Sequence, residues 1–126
     1  MEYRPFGRTG LNISAIGFGC WEIGGTYGRI EEAAFQRAVS TAIDSGVTCF
    51  DTAEAYGMGV SEEALARALD GRRNQVVIAT KFGVGYEEMP NRRDSSRERS
   101  SPRSTRAFNG CGPITSIFTS CIGPTR

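Results

Sequence analysis

The feature that most constrains this chain is the run VVIAT at residues 76–80, which is apolar on consecutive residues rather than on alternate ones. Such a strand has no face to give to water, so it belongs in a parallel sheet covered by helices. The run VTCFDTA at residues 47–53 is built alike as far as Asp51, and AIGFGCW at residues 15–21 places a shorter apolar run between glycines. Residues 31–45 separate these last two, with Ala34, Phe35, Ala38, Val39, Ala42 and Ile43 at helical spacing, acids in the first turn and Gly46 to end the helix. Between Asp51 and the VVIAT run, Ser61 is placed to cap a second helix, with Glu62 and Glu63 in its first turn and Leu65, Ala68 and Leu69 on its apolar side. Ahead of all of these, YRPFGRTGLNISA reads as a hairpin turning at residues 7–10. The order hairpin, β, α, β, α, β predicts an α/β fold with a parallel sheet.

The totals bound the function more by exclusion than by suggestion. A length of 126 residues at 39% hydrophobic suits one modest domain, and a net charge of +1 gives no field to draw the chain onto nucleic acid or a membrane surface. No leader or membrane-spanning run is evident, so a soluble cytoplasmic protein is expected. Cys20, Cys49, Cys111 and Cys121 have neither metal-site nor disulfide-framework spacing and read as reduced thiols. Histidine is absent, which removes the commonest general base and metal ligand. Fourteen of the fifteen basic residues are Arg, and the single lysine is Lys81.

In parallel βα architectures the functional loops lie at the carboxyl ends of the strands, and all three strands here end in unusual residues. The endings are GFGCW, FDTAEAYG and ATKFG, so Asp51, Tyr56 and Lys81 are expected on one rim. A phenol beside an ammonium that a carboxylate holds is an acid catalyst, because the positive charge stabilises the phenolate left behind. Each residue also has an ordinary explanation: Asp51 closing a turn, Tyr56 packing, Lys81 ending a strand in solvent. The repeated strand-end placement favours chemistry. GFGCWEIGG departs from GxGxxG at Glu22, which disfavours a dinucleotide fold of the Rossmann kind. Cys20 reads as a packing residue rather than a nucleophile, and Trp21 as either core or a flat wall for a ligand.

FGRTGLNISAIGFGCW, FDTAEAYG with SEEALARAL, and VVIATKFG together resemble the amino-terminal third of the aldo/keto reductase family over residues 2–86. The resemblance implies an incomplete (β/α)8 barrel (TIM barrel) preceded by a hairpin, and reduction of a small-molecule aldehyde or ketone with NADP(H). It implies Tyr56 as proton donor, Lys81 and Asp51 as its tuning pair, and Gly19, Cys20 and Trp21, with Asp51, as the cofactor and substrate wall. It further implies a histidine at the end of the fourth strand, which this sequence lacks.

All fourteen acidic residues fall at or before Glu98, and residues 100–126 contain no Asp, Glu or Lys. Residues 87–99 read as loop and the start of a helix. Residues 100–126 are expected to be an unstructured tail read out of frame, since a shift of one base from Arg99 permits a helix and then DYIDIYLVHWPDP, the histidine strand that the resemblance implies. A closed barrel takes about 250 residues, so three strands and two helices are expected to leave open sheet edges, an aggregation-prone chain and little reductase activity. Two other roles stay open: docking on a full-length relative through a sheet edge, and binding of a polyanion by the six arginines at residues 92–106. The nucleotide sequence from codon 95 onward checks the frame: a one-base change that restores the helix and histidine strand is expected, and mismatches at several of those codons exclude it.

Overall fold

The computed structural model describes residues 1–25 and 28–81 in full and the backbone of residues 82 and 116–120. The segment at 87–99, the arginines at 92–106, and Cys111 and Cys121 lie outside the described residues. The described elements follow the expected order. A hairpin of β1 (Tyr3–Pro5) and β2 (Asn12–Ser14) precedes β3 (Gly17–Gly19), α1 (Glu32–Asp44), β4 (Cys49–Asp51), α2 (Val60–Leu69), β5 (Val77–Phe82) and β6 (Ser116–Ser120). The hairpin is antiparallel, with Tyr3 opposite Ser14, and β3-β4-β5-β6 form one parallel sheet in that order.

β3 and β4 are shorter than their apolar runs, and only one face of the sheet is fully covered. Phe50 and Ile78, register partners, are both 0% exposed, whereas Cys49, Asp51, Val77 and Ala79 on the other face are half-buried. The covered face meets the helices. From α1 come Phe35, Val39 and Ile43, one turn apart, and from α2 come Ala64, Leu65, Ala68 and Leu69. Phe18 of β3 closes this layer edge-on to Phe35 and tilted over Phe50, at ring separations of 6.1 and 5.4 Å. Arg67 to Glu32 at 2.6 Å ties the two helices along their outer sides, and Arg72 to Asp44 at 2.7 Å ties the turn after α2 to the end of α1. Exposed pairs of this sort add little to stability, so the buried apolar layer carries the packing.

The hairpin sits at the amino ends of the strands, away from the rim that the sequence singles out. Ser14 and Thr48 exchange bonds, each backbone N–H donating to the other's hydroxyl at 2.9 Å, and the Tyr3 hydroxyl donates to the Gly46 carbonyl at 3.0 Å. On the open flank of β3, Ile16 is 64% exposed, and a cleft of about 270 Å³ runs between β3 and α1 past Phe18, Ile30 and Phe35.

Two expectations need correction. Ser61 does not cap α2: the cap position is Gly59, with φ of 94°, and Ser61 lies inside the first turn with no exposed surface. Residues 116–120 are not unstructured, because SIFTS pairs in parallel with β5 from Ile78↔Ser116 to Phe82↔Ser120. Its residues favour strand, and β5 offers an edge whose backbone groups need partners. Leu65→Ala removes a side chain that is 0% exposed between α1, α2 and the sheet; urea unfolding is expected to show a loss of about 2–5 kcal/mol, and a loss near zero contradicts this core.

Candidate active site

The site is assembled by register before it is assembled by chemistry. Asp51, the last residue of β4, pairs with Ala79, and Lys81 lies two residues further along β5, hence on the same face. The Lys81 ammonium donates to both Asp51 carboxylate oxygens, at 2.8 and 2.7 Å. It also donates to the Tyr56 hydroxyl oxygen at 3.0 Å. With the Lys81 side chain only 13% exposed, the three groups form a compact unit at the carboxyl rim of the sheet. Burial alone would lower the lysine pKa, but the bonds to Asp51 and then Tyr56 outweigh it and raise the value above the ordinary 10.5. The amine therefore stays charged beside the phenol.

Tyr56 reaches this unit from the loop that joins β4 to α2. That loop is pinned by backbone bonds: Thr52 N–H to Ala79 carbonyl at 2.9 Å, Tyr56 N–H to Ala53 carbonyl at 3.0 Å, and Gly59 N–H to Glu54 carbonyl at 2.7 Å. Behind Tyr56 the chain crosses the 3₁₀ turn Glu22–Gly24 at contact distance. A Cβ on Gly24 would lie 2.8 Å from the Tyr56 carbonyl carbon, and one on Gly57, whose φ is +66°, would lie 2.7 Å from the Gly24 carbonyl oxygen. Both contacts are with backbone, so neither position accepts a side chain without moving Tyr56.

Trp21 is not core. Its indole is 45% exposed and stacks on the Tyr56 ring at 5.9 Å and 22°. Gly19 ends β3 with no atom within 4 Å of where a Cβ would stand, so the rim is open there. Cys20 parts company with its neighbours: its side chain is 1% exposed and belongs to the apolar core, and its thiol is pushed up to about 12 by burial and then by the Asp51 charge. It is a packing residue, and any contact it makes with a ligand is through its backbone. Cys49 is also raised, again by burial first.

A second group of polar residues, unconnected in residue order, lies beneath the rim on the helix side. Thr52, Ser61, Glu62 and Thr80 are all 2% exposed or less. Ser61 donates to the Cys20 carbonyl at 2.7 Å and shares a hydrogen bond with Thr52 at 2.9 Å, and the Thr80 hydroxyl donates to Glu62 at 2.6 Å. Ser61 and Glu62 resemble any capping residue and first-turn acid when read locally, which hides their burial. Among the described residues no cluster of His, Cys, Asp and Glu could hold a metal ion, and no helix is long and apolar enough to cross a membrane.

Comparison with known proteins identifies the family. The model of the aldo/keto reductase family matches residues 15–109. The chain belongs to the aldo/keto reductase family. The match extends past residue 86, where the resemblance was expected to stop, and past Arg99, where the frame was expected to change. Aldo-keto reductase YhdN of Bacillus subtilis is 40% identical over 102 residues, which cover 79% of this chain and 31% of the relative. Aldo-keto reductase yakc of Schizosaccharomyces pombe, named for NADP(+), is 41% identical over 80 residues, covering 62% of this chain and 23% of its own length. Among solved structures, the holo form of an aldo-keto reductase from Bacillus halodurans superposes with a TM-score of 0.72 at 29% identity, over 86% of this chain and 36% of that one. The chain thus spans about a third of the proteins it resembles. The fold is part of their (β/α)8 barrel: the preceding hairpin and the first strands of the parallel sheet.

The raised lysine pKa has a pH signature. Its folded value exceeds the unfolded 10.5, so the stability that the Asp51 pair contributes is complete below that pH and is lost as pH rises through the folded value. Because Lys81 is the sole lysine, a chain labelled with 15N-lysine gives one side-chain signal. Its midpoint is expected above 10.5 and is expected to fall toward it in Asp51→Asn; a native midpoint at or below 10.5 contradicts the pairing.

Proposed function

We propose that Asp51, Tyr56 and Lys81 are the proton-donating half of a site that reduces an aldehyde or ketone to an alcohol with NADP(H). The observation that carries this reading is the direction of the Lys81 hydrogen bonds. The ammonium donates to the Tyr56 oxygen, so the phenol's own hydrogen is left for an outside acceptor. A carbonyl oxygen that gains negative charge in the transition state is such an acceptor. Tyr56 gives up its proton there, Lys81 stabilises the phenolate, and Asp51 keeps Lys81 charged through the change.

The described residues fit the nicotinamide end of the cofactor. Trp21 offers an exposed indole continuous with the Tyr56 ring, and the space at Gly19 leaves the rim open beside it. When bound, NADPH supplies the hydride. The name of the Schizosaccharomyces pombe relative supports this choice of nucleotide. Asp51 accepts from Lys81 through both oxygens, and its half-exposed side chain keeps lone pairs free to accept from a hydroxyl of the cofactor. A histidine implied by the family resemblance has no counterpart in the sequence, and residues 1–126 by themselves are expected to show little turnover.

The test supplies the rest of a barrel from a relative. Residues 1–82 are exchanged for the matching segment of the Bacillus subtilis protein, and NADPH consumption is followed with a reactive aromatic aldehyde. The chimera is expected to turn over. Tyr56→Phe and Lys81→Met are each expected to lower kcat by roughly 100- to 10,000-fold. Unchanged kcat in Tyr56→Phe would remove the proposal.

A further inference from the structure

We infer that Ser61 is a positioning residue that sets the Trp21 wall against Tyr56, an assignment whose catalytic meaning rests on the reading of Tyr56 as proton donor. The stack joins two segments far apart in sequence, the turn after β3 and the loop after β4. Neither segment is held in place by the other's side chains alone. Ser61 reaches both through hydrogen bonds. Its backbone N–H donates to the Tyr56 carbonyl at 3.2 Å, and its hydroxyl donates to the carbonyl of Cys20, the residue bonded to Trp21, at 2.7 Å.

Three further facts make this a fixed distance rather than a loose contact. Ser61 is 0% exposed, so no water competes for either bond. It stands in the first turn of α2, a helix seated on the core through Leu65 and Leu69, so the two carbonyls are referred to the rigid layer of the protein. Thr52, also 0% exposed, shares a hydrogen bond with the Ser61 oxygen at 2.9 Å, which orients the hydroxyl from the third side. A serine needed only to start the helix would face solvent at the cap position, and that position is Gly59.

Ser61→Ala keeps the N–H bond to Tyr56 and deletes the bond to Cys20, so the wall should swing while the helix remains. Trp21 is the only tryptophan, which gives a direct readout. Under native conditions acrylamide quenching of its emission is expected to rise, by up to about twofold, as the residue's 45% exposure increases. Thr52→Val, which removes only the bond that orients the Ser61 hydroxyl and leaves its bond to Cys20, is expected to raise quenching less than Ser61→Ala. Parent-like quenching in Ser61→Ala, or an equal rise in both variants, overturns the assignment. If Ser61→Ala does not melt cooperatively, Ser61→Cys, with similar volume and only a weak donor, carries the same comparison. None of these measurements uses turnover, so a chimera indifferent to Tyr56→Phe would remove the catalytic reading and leave the outcome for Ser61 standing on its own.

Discussion

Parallel pairing of β4 with β5 fixes how far along β5 a residue must sit to lie beside the end of β4. With Asp51 opposite Ala79, Lys81 is the next residue on that face, and its long side chain closes back onto the carboxylate. A shift of one residue in this register would send Lys81 to the helix side and bring Thr80 to the rim. The opposite face shows the same constraint from behind: Phe50 and Ile78 are buried against the helices, and Thr80 follows them inward to meet Glu62. Packing of an apolar layer and placement of an ion pair are therefore one decision, made by the strand pleat.

The division of labour between the two faces explains how the chain tolerates so polar a rim. Lys81 is satisfied by Asp51 and Tyr56, while beneath them Ser61 holds the Cys20 carbonyl and Thr80 is bound to Glu62. Replacing one partner in either layer leaves another buried or half-buried polar group without its bond, which costs more than the bond itself is worth. The rim thus derives its rigidity from residues that never reach it.

Much of the arrangement is legible in residue order. Consecutive apolar positions announce β4 and β5, the spacing of Phe35, Val39 and Ile43 announces α1, and the polar strand endings announce the rim. What could not be read are the contacts between distant segments that the order of strand ends does not imply. Trp21 has no local mark that separates core from wall, and its stacking on Tyr56 decides the matter. Ser61 looks like a cap because capping and bridging need the same hydroxyl, and only its burial tells them apart. The pairing of residues 116–120 with β5 depends on an available edge, which no local pattern in SIFTS reveals. The thinner cover on the inner face of the strands likewise follows from which elements lie opposite them, not from how apolar they are.

The contact of Gly24 with Gly57 bears on how such a chain can change over generations. Where two backbones touch, the path of each is fixed at one point. A change of either glycine therefore acts on both segments at once, the turn that follows Trp21 and the loop that carries Tyr56. Two stretches far apart in sequence are in this way held to one another with no side chain at all.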